Sequence, residues 1–271
     1  MNLHPLPAAT KRPILASEFP RLGFTFLPSS DGVDEHLLVL FHGLGDLHSN
    51  FARFGQRMNL PQTAVLSLGG PCLIPGMEQS EGSGWFPAFD LYGNDIPPNI
   101  QFAVNGMLKT REIVVEFLEH CVFVPGRWKG SPSKVFLFGF SQGGCAAIDI
   151  AMALSAKMPQ FVVGGVISIA GWIEPGMGAD LKSNATDLDL LIVQGNKDDI
   201  VPYSGHEGKH KHLQSLLNDP KNCELVVIDG KDHCLPGKDR VEMLRVMTFL
   251  STRMTLRNIK MEDMNDVFEV K

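Results

Sequence analysis

The chain has 271 residues, of which 44% are hydrophobic, and its 24 lysine and arginine residues against 30 aspartate and glutamate residues give a net charge of −6. This acidic balance, with no basic stripe interleaved with aromatic residues, argues against a nucleic-acid partner. The five cysteines are widely spread and form no Cys-x-x-Cys pair, which indicates reduced thiols rather than a disulfide framework or a zinc ribbon.

The sequence predicts no integral membrane segment, because no apolar run reaches the length of about 18 residues that a spanning helix needs. Residues 1–7 also lack the apolar core of a secretory signal peptide. We therefore expect a cytoplasmic protein, with the nucleus as a second compartment.

Residues 1–20 are rich in proline and show no periodicity, so we expect an N-terminal extension lying on the surface. After it, apolar runs alternate with segments of helical periodicity. The predicted strands are residues 21–27, 36–41, 63–68, the apolar run after Lys134 that leads into Gly139, and residues 162–170, 188–194 and 224–229. The predicted helices are residues 48–58, 99–124, the alanine-rich segment that follows Ser141 and runs to about residue 158, and residues 238–254. This alternation favours the α/β class, with a mostly parallel central sheet covered by helices on both faces. We expect a single domain over residues 21–254, followed by a charged tail over residues 255–271.

Residues 69–99 form a long connection that contains five prolines and a cluster of aromatic residues around Trp85 and Phe86. A connection of this length is uncommon in a compact domain unless it is functional or contains short elements of its own. We interpret it as a lid or pocket wall. The alternative is an ordinary surface loop pinned by its aromatic side chains.

The sequence Gly139-Phe140-Ser141-Gln142-Gly143 stands between an apolar strand and an alanine-rich helix. That context is the strand, tight turn and helix of a nucleophile elbow, in which flanking glycines give the turn room and the serine hydroxyl projects above the sheet. The alternative is a glycine-rich turn that happens to contain a serine. A phosphate-binding loop is disfavoured, because neither the ending of a P-loop nor a dinucleotide fingerprint is present.

A serine nucleophile needs a histidine to take its proton and a carboxylate to orient that histidine. In α/β hydrolases the acid follows the serine and the histidine comes last. The loop after the predicted strand 188–194 contains Asp198 and Asp199, and either could serve as the acid. His233 is the one histidine in a loop that follows the last predicted strand, so we predict it as the base.

The oxyanion formed during the attack needs two preorganised backbone donors. The amide of Gln142, directly after the serine, is one candidate. The amide of Leu44, in the His-Gly-Leu-Gly turn after the strand that ends at Phe41, is the other. The alternative for that turn is a merely flexible connection.

A rival motif is His206-Glu207-Gly208-Lys209-His210, which has the His-Glu-x-x-His spacing of zinc proteases, with His212 nearby. On a helix the two outer histidines would share one face. Gly208 weakens such a helix by about 1 kcal/mol relative to alanine, and short patterns of this kind arise by chance. We therefore predict no metal site, and interpret the segment as the solvated start of a helix.

Several motifs between about residue 36 and residue 254 together carry a family resemblance. They are Phe41-His42-Gly43-Leu44-Gly45-Asp46, Trp85-Phe86, Gly139-Phe140-Ser141-Gln142-Gly143-Gly144, Gly171-Trp172-Ile173 and Asp198-Asp199-Ile200-Val201-Pro202. The chain thus resembles the acyl-protein thioesterase and phospholipase/carboxylesterase family. The resemblance implies an α/β-hydrolase fold, a cytosolic location, no cofactor, and hydrolysis of thioesters on S-acylated proteins or of esters and lysophospholipids.

The resemblance also assigns residues. The family's acid maps onto Asp198 more naturally than onto Asp199, and Trp85, Phe86 and Trp172 become candidates for an acyl pocket. The chain departs from the family pattern at Pro87, where an acid is usual beside Trp-Phe. It departs again at Asn196, where an aspartate is usual.

We therefore expect a serine hydrolase in which His233 deprotonates Ser141 and an acyl-enzyme forms, with activity that rises with pH through a value near 6.5. The expected substrates are acylated proteins, in a palmitoyl-protein hydrolase role linked to lipid metabolism, or lipids and small acyl esters, with transient contact with a membrane surface. One alternative is a small-ester carboxylesterase without protein substrates. The other, of a different class, is a hydrolase-fold binding protein without turnover.

Overall fold

A computed structural model of the chain describes residues 11–159, 162–173, 177, 187–204, 206–237 and 240–258. Within these residues, seven strands form one sheet. They are Phe24–Leu27 (β1), His36–Phe41 (β2), Thr63–Leu68 (β3), Val135–Phe140 (β4), Gly165–Ile169 (β5), Leu190–Gly195 (β6) and Cys223–Ile228 (β7). The predicted tail lies mostly outside the described residues.

The strand order across the sheet is β1-β3-β2-β4-β5-β6-β7. Only β1 runs antiparallel to its neighbour, and the other pairs are parallel. Parallel strands that are buried on both faces read as continuous apolar runs, which is why β2, β3 and β6 were visible in the sequence. Because β2 to β7 run parallel to one another, their carboxyl ends lie at one edge of the sheet. The loops that leave this edge therefore come together.

Five α-helices accompany the sheet in the described part of the chain. They are His48–Met58 (α1), Gln101–Phe117 (α2), Gln142–Lys157 (α3), His206–Ser215 (α4) and Val241–Ser251 (α5). Helix α2 continues as one π-helical turn over Leu118–Val122, so the long predicted helix is irregular at its end. The start predicted for the last helix falls partly on residues 238 and 239, which lie outside the described residues.

The helices cover both faces of the sheet, and β2 shows how. Alternate side chains of a strand point to opposite faces. Leu37, Val39 and Phe41 belong to the apolar cluster that contains α2 and α3, whereas Leu38 and Leu40 belong to the cluster that contains α1 and α5. This two-sided core confirms the predicted α/β class and its layers.

The N-terminal segment differs from the expected surface extension over its described residues 11–20. Ile14 and Phe19 are only 4% and 6% exposed and join the main apolar cluster. The buried guanidinium of Arg127 fastens the segment through a bidentate contact with Glu18 at 2.8 and 2.6 Å. A lack of periodicity hid this packing, because the two apolar anchors are isolated in the sequence.

Candidate active site

Ser141 stands at the corner between β4 and α3. Its backbone has φ 54° and ψ −124°, a conformation that residues other than glycine rarely adopt. The surrounding turn tolerates no bulk. A Cβ atom on Gly139 would lie 2.2 Å from the carbonyl oxygen of Gly143, and one on Gly143 would lie 2.2 Å from that of Phe41. The two glycines therefore permit the close approach that holds the serine in this strained corner.

Ser141, His233 and Asp198 form a continuous hydrogen-bonded chain. His233 Nε2 lies 2.9 Å from Ser141 Oγ, and His233 Nδ1 lies 2.8 Å from Asp198 Oδ2. Because a carboxylate only accepts, Nδ1 carries the hydrogen that points at Asp198, and Nε2 is left to accept the serine proton. The ring of Phe140 packs on the imidazole, with a centroid distance of 4.9 Å.

Of the two aspartates in the loop after β6, Asp198 is the one that contacts the histidine. It is 3% exposed, while Asp199 is exposed to solvent. Oδ1 of Asp198 accepts the backbone N–H groups of Ile200 and Val201 at 3.0 and 2.7 Å. These amides leave Oδ2 facing His233 and so fix the direction in which the carboxylate acts.

Asn196 joins the loop that carries Asp198 to the loop that carries His233. Its Nδ2 donates to Asp229 Oδ1 at 2.7 Å, and its Oδ1 accepts the N–H of Gly230 at 2.8 Å. An ionised aspartate at this position could not donate a hydrogen bond to Asp229. The asparagine, which departs from the family pattern, supplies the donor that Asp229 accepts. The sequence could not show this, because the partner lies in another loop.

The two predicted oxyanion donors lie in segments that pack on each other at the elbow. A Cβ atom on Gly43, beside Leu44, would lie 3.0 Å from the Phe140 ring. Gln142 is the first residue of α3, where backbone N–H groups lack helical partners. Among the described residues, neither the Leu44 nor the Gln142 amide donates to a protein acceptor, and their role as oxyanion donors stays a prediction.

The side chain of Gln142 holds the aromatic pair of the 69–99 connection. Its Oε1 accepts the backbone N–H of Trp85 at 2.6 Å, and its Nε2 donates to the carbonyl of Phe86 at 2.9 Å. The Trp85 indole donates to the carbonyl of His42 at 2.8 Å. Trp85 and Phe86 are buried behind the predicted oxyanion site, and their role in binding an acyl group stays a prediction.

His42 supports the same region as a buried, neutral histidine. Its Nδ1 lies 2.7 Å from the carbonyl oxygen of Gly43 and therefore carries the hydrogen. Its Nε2 accepts the backbone N–H of Gly70 at 3.0 Å. Burial lowers the pKa of His42, which keeps this tautomer uncharged. The histidine thereby ties the loop after β2 to the loop after β3.

A groove of about 670 Å³ lies between the start of the 69–99 connection and α2. Its lining is mostly apolar, with Lys109 at its exposed side; the other main lining residues are Pro71, Cys72, Pro87, Phe102, Leu108 and Ile113. Cys72 exchanges two backbone hydrogen bonds with Gly84, at 3.0 and 2.9 Å. Gly84 in turn packs against the side chains of Leu44 and Gln142, so one wall of the groove is connected to the predicted oxyanion site.

Trp172, the third acyl-pocket candidate, is 1% exposed. Its indole N–H donates to Oε1 of Gln194 at 2.8 Å, and Gln194 Nε2 lies 3.3 Å from Asp198 Oδ2. Sequence reasoning missed Gln194. A polar residue at the end of the apolar run of β6 was the available signal.

The His-Glu-x-x-His motif lies on α4, but its histidines make other contacts. The ring of His206 packs edge-on against Trp172 at 4.7 Å between centroids. His210 Nε2 lies 3.2 Å from the carbonyl oxygen of Cys223, so this nitrogen carries a hydrogen and is not a free ligand. Over the described ranges, no three histidine, cysteine or acidic side chains are grouped as a metal ion would require.

None of the helices in the described residues combines the length and the hydropathy that a membrane-spanning helix needs.

Relatives of the chain are hydrolases by name. The chain is 37% identical over 165 residues to an uncharacterized hydrolase of Mycosarcoma maydis, and the aligned region covers 59% of this chain and 58% of the relative. It is 29% identical over 142 residues to an uncharacterized hydrolase of Schizosaccharomyces pombe, which covers 50% and 53% respectively. The chain thus spans little more than half the length of these two relatives.

Solved structures share the fold. Esterase PE8 superposes with a TM-score of 0.67 at 24% identity, covering 86% of this chain and 99% of that one. Acyl-protein thioesterase 2 of Zea mays superposes with a TM-score of 0.61 at 19% identity, covering 85% and 98%. At these identities the likeness shows the α/β-hydrolase fold. The sequence profile of the Phospholipase/Carboxylesterase family matches residues 25–254. The chain therefore belongs to the phospholipase/carboxylesterase family.

Proposed function

We propose that the protein is a serine hydrolase that cleaves carboxylic esters or thioesters, with Ser141 as nucleophile, His233 as general base and Asp198 as the orienting acid. The observation that carries this proposal is the hydrogen-bonded chain from Ser141 Oγ through His233 to Asp198, at 2.9 and 2.8 Å. The strained φ of 54° at Ser141 supports it, because strain of this kind concentrates at functional sites.

In the first half of the reaction, Ser141 Oγ attacks the substrate carbonyl carbon while its proton passes to His233 Nε2. Asp198 stabilises the resulting imidazolium through Nδ1. The amides of Leu44 and Gln142 bind the oxyanion, and loss of one such donor typically costs about 3 kcal/mol of transition-state stabilisation. The carbon–oxygen or carbon–sulfur bond then breaks, and His233 returns the proton to the leaving oxygen or sulfur.

In the second half, a water molecule attacks the acyl-enzyme carbonyl carbon and gives a proton to His233 Nε2. The bond from that carbon to Ser141 Oγ breaks, and His233 passes the proton to the serine oxygen. The carboxylic acid leaves, and the free serine is restored. The substrate, one water molecule and the three side chains account for every proton transferred in the two halves.

We further propose that the acyl chain binds in the groove between the 69–99 connection and α2. The apolar lining and the volume of about 670 Å³ support this placement, since ligand pockets of such size are typically lined by apolar side chains. Trp85 and Phe86 would shape this region from behind. The substrate class that fits is an S-acylated protein or a lysophospholipid, and acyl-protein thioesterase activity is the first to test.

A site for such substrates would work at a membrane surface in the cytoplasm. None of the five cysteines, which all lie in the described part of the chain, forms a disulfide, as in a reducing compartment. Leu91 and Tyr92, in the connection that borders the groove, are 90% and 91% exposed. Exposed apolar and amphipathic side chains of this kind support transient contact with lipid.

The test is hydrolysis by the purified full chain of matched oxygen esters and thioesters with short, medium and long acyl groups. We expect turnover of both, faster with longer acyl groups, and a fall of roughly five to six orders of magnitude in kcat for Ser141→Ala. A Cys145→Ala variant, altered on the next helical turn, serves as the matched control. Turnover that survives Ser141→Ala would overturn the proposal. If the wild-type protein hydrolyses none of the esters or thioesters, the alternative of a binding protein without turnover is favoured instead.

A further inference from the structure

Gln194, the penultimate residue of β6, is completely buried at the edge of the sheet where the proposed active site lies. Its side-chain amide makes hydrogen bonds at both ends. Oε1 accepts the indole N–H of Trp172 at 2.8 Å. Because an indole nitrogen only donates, this contact fixes the orientation of the amide, with its oxygen toward Trp172 and its NH₂ group toward the opposite side.

The NH₂ group of Gln194 faces three acceptors in the loop that follows β6. They are the carbonyl oxygen of Val201 at 2.9 Å, that of Gly195 at 3.2 Å and Oδ2 of Asp198 at 3.3 Å. The Asp198 contact is the longest of the three. The bond to Val201 is short, and the backbone amide of Val201 donates to Asp198 Oδ1 at 2.7 Å.

Gln194 therefore reaches Asp198 by two routes, directly at Oδ2 and through the loop residue that binds Oδ1. Asp198 Oδ2 is also the atom that contacts His233 Nδ1 at 2.8 Å. If the amide were absent or reversed, this oxygen would lose a donor and the Val201 carbonyl would lose its partner. The carboxylate would then be held only by the two backbone amides at Oδ1 and by His233 at Oδ2, and its plane would be less tightly fixed.

We propose that Gln194 is a positioning residue of the hydrolytic site, anchored by Trp172, which holds the Asp198 carboxylate in the plane and at the distance that His233 requires. This inference rests on the proposed serine-hydrolase function. It gives Trp172 a structural reason for its position: its polar edge locks Gln194, and its ring packs against His206. The effect travels through Asp198 and His233, so neither Gln194 nor Trp172 touches the reacting atoms.

The test uses two variants that remove different parts of the link. Gln194→Met keeps the approximate volume and deletes both hydrogen-bonding ends. Trp172→Phe keeps an aromatic ring but deletes the N–H group that orients the amide, together with part of the ring volume. We expect kcat to fall by up to about 100-fold in Gln194→Met and less in Trp172→Phe, with KM within about twofold of the wild type in both.

The double variant distinguishes positioning from independent packing defects. If Trp172 acts through Gln194, then Trp172→Phe adds nothing further to kcat once Gln194→Met is present. A second readout is the downfield proton resonance of His233 Nδ1–H, assigned by its absence in His233→Ala. We expect this resonance to shift or broaden in both single variants, which a purely structural loss of folded protein would not produce.

The outcomes separate this inference from the proposed function. If the wild type does not turn over esters, the proposed function itself fails. If the wild type is active while Gln194→Met and Trp172→Phe keep its kcat and the His233 resonance, the positioning role is wrong. If Gln194→Met does not fold, Trp172→Phe decides alone, and an unchanged kcat with an unchanged resonance in that variant overturns the proposal.

Discussion

The side chain of Asn196 donates a 2.7 Å hydrogen bond to Oδ1 of Asp229, and this contact joins the loop of the proposed acid to the loop of the proposed base. We predict that Asn196→Asp lowers both kcat and thermal stability, because it replaces a donor with a second carboxylate at the same position. A hydrogen bond of this kind contributes about 1 kcal/mol, and the new like-charge contact adds to its loss.

The matched control exchanges the two groups. In Asn196→Asp/Asp229→Asn the donor and the acceptor trade places, while Gly230 still finds an acceptor at position 196. We expect the double variant to recover most of the kcat and of the melting temperature. Measuring both for Asn196→Asp, Asp229→Asn and the double variant completes the cycle, and a double variant no better than Asn196→Asp would show that the contact is unimportant.

The side chain of Gln142 is predicted to matter separately from its backbone amide. Gln142→Leu keeps the amide that is proposed to bind the oxyanion, but leaves the Trp85 N–H and the Phe86 carbonyl without their partner. Unsatisfied buried groups cost about 1 to 3 kcal/mol each. We expect a lower free energy of unfolding in urea and a kcat lowered by about tenfold. An unchanged kcat would mean that the aromatic pair does not support the oxyanion site.

Filling the groove tests where the acyl chain binds. Ile113→Trp places a larger side chain in the apolar lining, on a helix position that is half-buried. We expect KM to rise for long-chain esters and thioesters, while kcat/KM for an acetyl ester stays at the wild-type value. Equal effects on long and short substrates, measured with the same leaving group, would place the acyl chain elsewhere.

His36 is predicted to make stability depend on pH below neutrality. Burial lowers its pKa from 6.5 to about 4, so between these values the unfolded chain binds a proton that the folded chain does not. The free energy of unfolding therefore falls as pH decreases from 6.5 to about 4. His36→Leu removes this titration. As pH decreases from 6.5 to about 4, we therefore expect the free energy of unfolding of His36→Leu, measured in urea, to rise relative to that of the wild type. Parallel pH curves for the two proteins would refute this.

Much of the fold could be predicted because its signals are local. The bounds of β2, β3 and α1 coincide with the predicted ones, since a strand buried on both faces and an amphipathic helix each leave a continuous pattern. The elbow was visible for the same reason, as strand, turn and helix are consecutive. The order of serine, acid and histidine along the chain then limited the candidates for the other two positions.

The parts that could not be predicted depend on pairing between distant segments. Asn196 meets Asp229 only because β6 and β7 pair with Gly195 opposite Ile228, so that the loops after them start side by side. Gln142 reads as an oxyanion donor in the sequence, but its side-chain contacts appear only when the 69–99 connection folds back. The residues of the loop alone did not distinguish Asp198 from Asp199. The family resemblance favoured Asp198, and the structure shows its hydrogen bond to His233.

The most direct test of the central proposal is covalent labelling of the purified protein with a fluorophosphonate, followed by peptide mass spectrometry. We predict one adduct per chain, on Ser141, and labelling that is absent in Ser141→Ala and strongly slowed in His233→Ala. The Ser168→Ala variant, which changes a buried serine on the neighbouring strand, should label as the wild type does. Labelling at another residue, or labelling that persists in Ser141→Ala, would contradict the assignment of Ser141 as the nucleophile.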